Sequence, residues 1–201
     1  MMWICYIIMI VVPYLLGGIN TSIIATRVHS GKDIRDMGSG NAGLTNTLRT
    51  QGKAVRLAFL FIGGVDTTVL SNEMNWVGYM AGLMVVVGHV LPVYYGFRGG
   101  KGVLAAISAI FTLDWRTGCL LLGVFIVLVA ITRYVSLGSV AASSLYFVGT
   151  LVFVYFIDKD PSGIVCTFIA LFTEAIVIFK HHGNIRRLLT HTEKKLGEKS
   201  K

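Results

Sequence analysis

The chain is built from long apolar runs separated by short polar segments that carry most of its charge. A helix needs about 20 apolar residues to cross a bilayer core, so this pattern is typical of proteins with several membrane spans. The sequence therefore predicts an all-α, polytopic membrane protein with about seven transmembrane helices, organised as a single integral membrane domain over residues 1–201. The apolar runs occupy residues 3–26, 57–72, 76–96, 103–113, 117–132, 137–157 and 162–179.

The fourth run, residues 103–113, is too short to cross a bilayer as a straight helix. It would rise only about 16 Å, roughly half of a hydrocarbon core, so we expect it to be broken, tilted or supported by its neighbours. Its position beside a glycine-rich loop also suggests a site. The first run lacks a basic leading region and contains Gly17, Gly18 and Asn20, so it is interpreted as a retained span rather than a cleaved signal.

The positive charges are distributed unevenly between the two sides of the predicted membrane. Of the 18 Lys and Arg residues, all but Arg116 and Lys159 fall in the loops 27–56, 97–102 and 133–136 or in the C-terminal tail. Cytoplasmic loops are enriched in these residues, so the sequence predicts that these loops and the C-terminus are cytoplasmic and that the N-terminus is outside. The net charge of +8 follows from this asymmetry, and no nucleic acid partner is expected.

The cysteines and carboxylates argue against several kinds of active site. Cys5, Cys119 and Cys166 lie far apart inside apolar runs, so neither a disulfide framework nor a metal site is predicted. The sequence shows no Ser-His-Asp arrangement and no His-x-x-x-His pair. An enzyme of this sequence would rely on positioning and electrostatics, with no metal and no cofactor.

A polar, glycine-rich segment follows the first apolar run and is suited to holding an anion. Glycines allow tight turns that bring N–H groups to a ligand, neutral side chains add hydrogen bonds, and an arginine adds a charge with fork geometry. The alternative is an ordinary membrane loop, since such loops are also rich in Gly, Ser and Asn. The candidate anion-binding residues are Gly38, Ser39, Gly40, Asn41, Gly43, Thr45, Asn46 and Arg49.

A second cluster of glycines surrounds Lys101 at the start of the short fourth run. Gly99, Gly100 and Gly102 would present backbone N–H groups, a helix N-terminus and an ammonium group to one point, which suits phosphate. The cluster is not a P-loop, because the G-x-x-x-x-G-K-[ST] spacing is absent and Val103 stands where a magnesium-binding hydroxyl would follow. A plain basic turn is the alternative.

Further polar side chains lie near the same membrane face or within a span. His89 is either a helix-packing histidine bonded to a carbonyl or a support of the pocket. Ser136 either contacts the bound ligand or serves as the N-cap of the sixth span, and its position favours the cap. His181 and Asn184 are spaced to share a helical face. Glu174 falls within the seventh span, where an ionisable group is costly, so we expect it to face the bundle or to be neutral.

Four motifs in this order resemble those of a known family. They are Gly38-Ser39-Gly40-Asn41-x-Gly43-x-Thr45-Asn46-x-x-Arg49, Gly88-His89-x-x-Pro92 with Phe97-x-Gly99-Gly100-Lys101-Gly102-Val103, Tyr134-Val135-Ser136-Leu137, and His181-x-x-Asn184-Ile185-x-Arg187-Leu188 with Glu193. Together they are similar to the PlsY acyl-phosphate:glycerol-3-phosphate acyltransferases of bacterial membranes. The resemblance runs from the first span to the tail.

This resemblance implies a seven-helix membrane enzyme that transfers an acyl group from acyl phosphate, not acyl-CoA, to the 1-hydroxyl of glycerol 3-phosphate, giving lysophosphatidic acid and phosphate. It implies a monomer in the bacterial cell membrane whose partners are these two substrates and membrane lipid. By position, the catalytic residues would be Ser39, Arg49, Lys101, His181 and Asn184. The substrate-binding residues would be Gly38, Gly40, Asn41, Gly43, Thr45, Asn46, His89, Gly99, Gly100, Gly102, Ser136, Arg187 and Glu193.

The chain departs from the family pattern at a few positions. The second run reads Gly63-Gly64-Val65-Asp66 where the family usually has Asp and Lys three residues apart, and His182, Gly183 and His191 replace residues common in the family. These differences leave a catalytically inactive regulator as an alternative. An anion or lipid transporter is another, although transporters usually place such sites near the midplane between repeated halves, whereas these motifs gather at one face without a visible repeat.

Overall fold

The computed structural model describes residues 2–51 and 75–198. Within these two ranges the regular structure is entirely helical, with short 3-10 turns at Ile34–Asp36 and Val93–Tyr95 and a π-helical segment at Leu151–Ile157. The α-helices are α1 (Met2–Gly17), α2 (Thr21–Ser30), α3 (Leu44–Gln51), α4 (Asn75–Val90), α5 (Val103–Leu113), α6 (Trp115–Thr132), α7 (Val135–Ser143), α8 (Tyr146–Thr150), α9 (Gly163–Lys180) and α10 (His182–Leu189).

Five helical stretches in the described ranges are long and apolar enough to cross a bilayer. Helix α5 is also apolar but has only 11 residues. The all-α, polytopic membrane fold with one short helix is thereby confirmed. The predicted second span, residues 57–72, lies outside the described residues, and so do the family departures at Gly63 to Asp66. The five stretches are Ile7–Ser30, Asn75–Tyr95, Trp115–Thr132, Val135–Ile157 and Gly163–Lys180.

The first span is interrupted, whereas the sequence predicts one continuous run. Helix α1 ends at Gly17, and α2 starts after Asn20, whose side-chain oxygen caps it by accepting a hydrogen bond from Ile23 N at 3.2 Å. A glycine also lets α1 and α4 approach closely. A Cβ at Gly88 would lie 2.0 Å from the carbonyl oxygen of Tyr14, so this crossing requires a residue without a side chain.

Helix α5 is short because local sequence fixes both of its ends. It starts after Gly102, whose φ of +86° lies in the left-handed region that favours glycine. It ends at Asp114, which caps α6 by accepting hydrogen bonds from Arg116 N and Thr117 N. Helices α4 and α6 pack against α5 and support it within the bundle. The surrounding core includes Val86, Ile110, Leu121, Ala170 and Val177.

The sixth span is divided, because α7 ends at Ser143 and α8 begins at Tyr146. The backbone N–H of Phe147, near the start of α8, donates to Glu174 Oε2 of α9 at 3.4 Å. Glu174 is buried, so this carboxyl group faces the bundle, as expected for an ionisable group within a span.

Up to residue 198, where the described part ends, the basic C-terminal tail is helical over His182–Leu189 and then folds back over the start of α7. Leu196 N donates to Arg133 O at 2.7 Å, and Arg133 Nη2 donates to Leu196 O at 2.9 Å. The ammonium group of Lys195 lies 5.6 Å from the centre of the Tyr134 ring. These contacts hold the tail beside the polar loops.

Candidate active site

A cavity of about 320 Å³ lies where the polar loops gather at one end of the bundle. Its interior is lined by apolar side chains of α5 and α6, including Leu104, Ile107, Ile110, Leu121 and Phe125. The structure therefore joins residues of all four motifs around one cavity. The predicted site residues that line it are Ser39, Asn41, Gly43, Thr45, Asn46, His89, Lys101, Gly102, Ser136, His181, Asn184 and Glu193.

Asn46, in the first turn of α3, holds the first polar loop in shape. This loop comprises residues 31–43, between α2 and α3. The Asn46 amide nitrogen donates to the carbonyl oxygens of Ile34, Met37 and Asn41 at 3.2, 2.9 and 3.0 Å, and its Oδ1 accepts from Ser39 N at 2.9 Å. Donor and acceptor are both engaged, so the side chain fixes the loop's shape. This use of the amide differs from the direct anion contact that the sequence predicts for Asn46.

Gly100 lies in the second polar loop, residues 91–102 between α4 and α5, and allows it to contact the first loop. A Cβ at this position would lie 2.7 Å from the carbonyl oxygen of Ala42 in the first loop and 2.3 Å from Nε2 of His89. The His89 carbonyl accepts a hydrogen bond from Gly100 N at 3.1 Å, and His89 lines the cavity. His89 thus lies at the junction of the two loops, a position compatible with a role in supporting the pocket.

Arg35 links the two loops, a role that the sequence analysis missed. Its Nη1 donates to Tyr95 O at 2.8 Å, while Nε and Nη2 donate to Asp33 at 2.9 and 2.7 Å. The Arg35 guanidinium holds the pKa of Asp33 well below its usual range. Arg35 and Tyr95 are 60 residues apart in sequence, so no local pattern signals their contact.

One hydrogen-bond network joins the second loop, the start of α7 and the tail. Lys101 Nζ donates to Asn184 Oδ1 at 2.5 Å, and Asn184 Nδ2 donates to Ser136 Oγ at 2.6 Å and to Glu193 Oε1 at 2.9 Å. Ser136 Oγ also donates to Glu193 Oε1, and Arg187 Nε donates to Glu193 Oε2 at 2.6 Å. We call these five side chains the rim network.

Glu193 is the acceptor at the centre of the rim network, and its side chain is only 6% exposed. Burial alone would raise the pKa of this carboxyl group. The hydrogen bonds from Ser136, Arg187 and Asn184 together outweigh burial, so the pKa of Glu193 lies below its usual value. Glu193 is therefore ionised at neutral pH, and it holds three donors in fixed orientations.

His181 lies beside the rim network as a neutral ring. Its Nδ1 donates to Val177 O at 2.7 Å, because a carbonyl oxygen can only accept. Burial, together with nearby Lys101, lowers the pKa of His181 to about 4, against the raising effects of the Val177 bond and of Glu193. At neutral pH, Nε2 therefore carries a lone pair that can accept a hydrogen bond.

Four N–H groups of the glycine clusters are bonded within the protein, so these four are not available to an anion. Backbone donors in such loops are satisfied internally where an acceptor is near. N–H groups without intrahelical acceptors are instead those in the first turns of α3 and α5, which begin beside Gly43 and Gly102. The internal bonds run from Gly99 N to Val90 O, Gly100 N to His89 O, Gly40 N to Met37 O and Gly43 N to Asn41 O.

Ser136 is not the N-cap that its position favoured. Tyr134 occupies the cap position of α7 and makes no side-chain capping bond. Ser136 is instead buried in the first turn of that helix, where its hydroxyl joins the rim network. The cap preference failed here because contacts with Asn184 and Glu193 engage the hydroxyl.

Several predicted site residues do not reach the cavity directly. Arg187 contacts it through Glu193. Arg49 belongs to α3, but its side chain lies outside what the structure describes. Within residues 2–51 and 75–198, no group of three His, Cys, Asp or Glu side chains is placed to hold a metal ion. The predicted site residues with described side chains that do not line the cavity are Gly38, Gly40, Gly99, Gly100 and Arg187.

The arrangement suits a ligand with an oxyanion and a hydrocarbon chain. Lys101, the hydroxyls and the two helix N-termini can bind oxyanions, because charge-assisted hydrogen bonds and helix dipoles both favour negative charge there. The apolar interior can enclose an alkyl chain. The polar rim and the apolar interior are continuous, so both parts of one ligand can be held together.

Residues 7–191 match the family model described as glycerol-3-phosphate acyltransferase. The chain is 43% identical over 206 residues to the glycerol-3-phosphate acyltransferase of Clostridioides difficile (strain 630), which covers 96% of this chain and 97% of that protein. It is 34% identical to the same-named protein of Thermoanaerobacter sp. (strain X514), with 94% and 95% covered.

Solved structures of PlsY (YgiH), an integral membrane glycerol 3-phosphate acyltransferase, share this fold. The glycerol 3-phosphate form has a TM-score of 0.81 and 33% identity over 95% of both chains. The lysophosphatidic acid form has a TM-score of 0.78 and 31% identity over the same share. With the matches in sequence, these likenesses show that the chain belongs to the PlsY family of integral membrane glycerol-3-phosphate acyltransferases.

Proposed function

We propose that this membrane acyltransferase takes its acyl group from acyl phosphate and transfers it to the 1-hydroxyl of glycerol 3-phosphate, releasing lysophosphatidic acid and inorganic phosphate. The observation that carries the proposal is the continuity between the Lys101-bearing rim and the apolar interior of the cavity. Both substrates carry a phosphate, and the donor also carries a long hydrocarbon chain. The related PlsY has been solved in a lysophosphatidic acid form, and that molecule has the same two parts.

We assign phosphate binding to the junction of the two polar loops. Lys101 and Arg49 would neutralise phosphate charge, and Ser39 would add a hydroxyl donor. The first-turn N–H groups of α3 and α5 would point at phosphate oxygens, taking the place of the glycine N–H groups that are used in turns. The residues that would shape this part of the site are Asn41, Gly43, Thr45, Asn46, His89 and Gly102.

We assign the reacting hydroxyl and carbonyl groups to the neighbourhood of His181, Asn184 and Ser136. A neutral His181 can accept a hydrogen bond at Nε2 and so orient a glycerol hydroxyl. Glu193 and Arg187 would act as positioning residues, since they hold the amide of Asn184 and the hydroxyl of Ser136 in place.

The reaction needs little covalent chemistry from the protein. Acyl phosphate is an activated mixed anhydride, so holding the reactants together and neutralising phosphate charge supply most of the rate. The glycerol oxygen attacks the carbonyl carbon, the bond from that carbon to the bridging phosphate oxygen breaks, and phosphate leaves. A substrate phosphate takes the hydroxyl proton in this scheme.

We further propose a monomeric enzyme formed by a single domain, residues 1–201, in the bacterial cell membrane. The polar loops and the C-terminus would face the cytoplasm, and the N-terminus would lie outside. The distribution of Lys and Arg supports this orientation, and the clustering of the described polar loops at one end of the bundle agrees with it.

The test is acyl transfer by the purified protein in detergent, with palmitoyl phosphate or palmitoyl-CoA as donor and labelled glycerol 3-phosphate as acceptor. We expect lysophosphatidic acid and phosphate in equal amounts from palmitoyl phosphate, and no product from palmitoyl-CoA. Transfer from the thioester alone would contradict the donor assignment. Glycerol 3-phosphate uptake into vesicles without product would indicate a transporter, and neither activity would indicate a regulator.

A further inference from the structure

The apolar interior of the cavity contains a polar patch that the proposed reaction does not use. Glu174 of α9 lines the cavity and is 8% exposed, although it lies within a predicted membrane span. Ser139 and Ser143 of α7 and Thr173 of α9, the neighbour of Glu174 in sequence, also line the cavity. We call these four side chains the mid-cavity niche.

Glu174 uses only part of its hydrogen-bonding capacity within the protein. Its Oε2 accepts the single long bond from Phe147 N at 3.4 Å, and no donor to Oε1 is found among residues 2–51 and 75–198. Ser139 and Thr173 each donate to a carbonyl oxygen of their own helix, at 3.0 and 2.9 Å. Their oxygens keep lone pairs, so the niche can still accept hydrogen bonds.

An unsubstituted alkyl chain is a poor partner for this patch. A buried carboxyl oxygen that faces only methylene groups loses its hydration without gaining a hydrogen bond, which is unfavourable. A hydroxyl group on the chain would supply the missing donor. Sites built to bind a substrate hydroxyl discriminate strongly against analogues that lack it, because the polar group of the protein is then left unpaired.

The depth of the niche specifies where on the chain such a hydroxyl would lie. Glu174 precedes His181 by seven residues, so it lies about 10 Å deeper along the helix and on nearly the same face. An extended alkyl chain advances about 1.3 Å per bond, given a C–C length of about 1.5 Å. With the reacting carbonyl level with His181, the niche lies near the eighth to tenth carbon.

We infer that the mid-cavity niche is a specificity site for acyl donors that carry a hydroxyl group near the middle of the chain, with Glu174 as its main hydrogen-bond acceptor. The inference rests on the proposed acyl phosphate activity and adds a class of donor to it. The bond from Phe147 engages one carboxyl oxygen and leaves the other able to accept a hydrogen bond from the ligand.

The test compares kcat/KM for stearoyl phosphate, 10-hydroxystearoyl phosphate and 2-hydroxystearoyl phosphate. In the unaltered protein we expect the 10-hydroxy donor to be favoured over the unsubstituted one, and Glu174→Leu to lower that ratio by about tenfold. Glu174→Gln, which keeps a side-chain oxygen, should give an intermediate ratio. The 2-hydroxy donor serves as the positional control, and its ratio to stearoyl phosphate should not change.

A merely structural role for Glu174 gives a different result. Loss of the Phe147 bond would then lower thermal stability and slow all three donors in equal proportion, and an unchanged ratio would overturn the inference. If Glu174→Leu does not fold, the unaltered protein decides alone, since no preference for the 10-hydroxy over the 2-hydroxy donor also overturns it. Failure of every acyl phosphate to react would instead overturn the proposed donor, and the niche's role with it.

Discussion

The two ends of helix α5 both carry clusters of charged and polar side chains, but the clusters differ in the sign of their excess charge and in their distance from the cavity. At the C-terminal end, Arg116 is bound by Asp114 at 2.8 Å and by Asp158 at 2.5 Å. Asp114 also accepts from Thr117 Oγ1 at 2.5 Å. The cluster has two carboxylates for one cation, its groups bond to one another, and none of these four residues lines the cavity.

At the N-terminal end of α5, the rim network has two cations, Lys101 and Arg187, for one carboxylate, Glu193. Its members also bond to one another, but all of them except Arg187 line the cavity. The difference teaches that the residue types in a membrane charge cluster do not decide its role. A cluster with an excess of carboxylates that lies away from the cavity holds helices together, whereas an excess of positive charge beside a cavity can receive an anion.

The largest difference between the two ends should appear on removing a cation from the rim. Lys101→Ala should lower kcat/KM for acyl transfer by roughly 1,000-fold, because a charge that stabilises phosphate is lost from a partly dehydrated site. Arg49→Ala should cause a loss of similar order. Activity and thermal unfolding are measured on the same purified samples, and the unfolding temperature should change little.

The matched control is Lys159→Ala, since Lys159 is exposed and lies near Asp158 at the other end of the bundle. This variant should retain the activity of the unaltered protein. Rates within tenfold of normal in Lys101→Ala would contradict the proposed site and remove the distinction between the two clusters.

Removing Arg116, the cation at the C-terminal end of α5, should lower stability and leave the activity nearly unchanged. Arg116→Ala leaves Asp114 buried without its partner, and we expect the protein to lose about 2 kcal/mol of stability, less than for a fully buried pair because Asp158 is partly exposed. Thermal unfolding in detergent measures the change, while kcat/KM of the folded protein should stay near normal. Arg27→Ala is the matched control, since its exposed pair with Asp33 should contribute less than 1 kcal/mol.

An Arg116→Ala protein of normal stability and low activity would reverse the comparison. It would mean that the Arg116 cluster acts on the site at the far end of α5. The same outcome with Arg27→Ala would show that arginine truncation in general, and not the loss of the Arg116 cluster, lowers the activity.

Local sequence was sufficient to predict the apolar helical runs of the described part and the ends of α5, but not the breaks within the first and sixth spans. The apolar run at 103–113 coincides with the helix, because Gly102 and Asp114 act on the backbone within a few residues. The motif order and the charge asymmetry also predicted that separate loops meet. The contacts within the site were harder to predict, since Arg35 and Ser136 bond to partners about 60 residues away in the chain and such bonds leave no periodic pattern.

The contact between the two polar loops should contribute less to kcat/KM than Lys101 does. Arg35→Ala removes the bond to Tyr95 O and the pair with Asp33, so the loops lose part of their relative positioning. We expect kcat/KM to fall by about tenfold, mainly through KM, because a small displacement of binding groups weakens their joint action. Steady-state kinetics with varied glycerol 3-phosphate measure the effect.

Arg35→Lys should recover part of the loss, since an ammonium group can satisfy one of the two partners. A fall in kcat at unchanged KM would place Arg35 in the chemical step and contradict a positioning role. An equal loss in Arg27→Ala would assign the effect to Asp33 instead of the link to Tyr95.

The smallest expected effect distinguishes the two ends by their response to acid. Burial lowers the pKa of His181 to about 4, so between pH 6.5 and 4 the unfolded chain binds a proton at this histidine that the folded protein does not. Stability from His181 is therefore complete above pH 6.5 and is lost as the pH falls. Asp158 responds only in stronger acid, because the Arg116 hydrogen bond lowers its pKa below 3.8.

Thermal unfolding at pH 6.5 and 5.5 separates these responses. The unaltered protein should lose about 1 kcal/mol over this interval through His181, and His181→Gln should lose less by that amount. Arg116→Ala is the control for the other end, and its stability should decline in parallel with the unaltered protein. Equal slopes in the unaltered protein and His181→Gln would mean that folding does not lower the pKa of His181, and would contradict the buried, neutral ring described for the site.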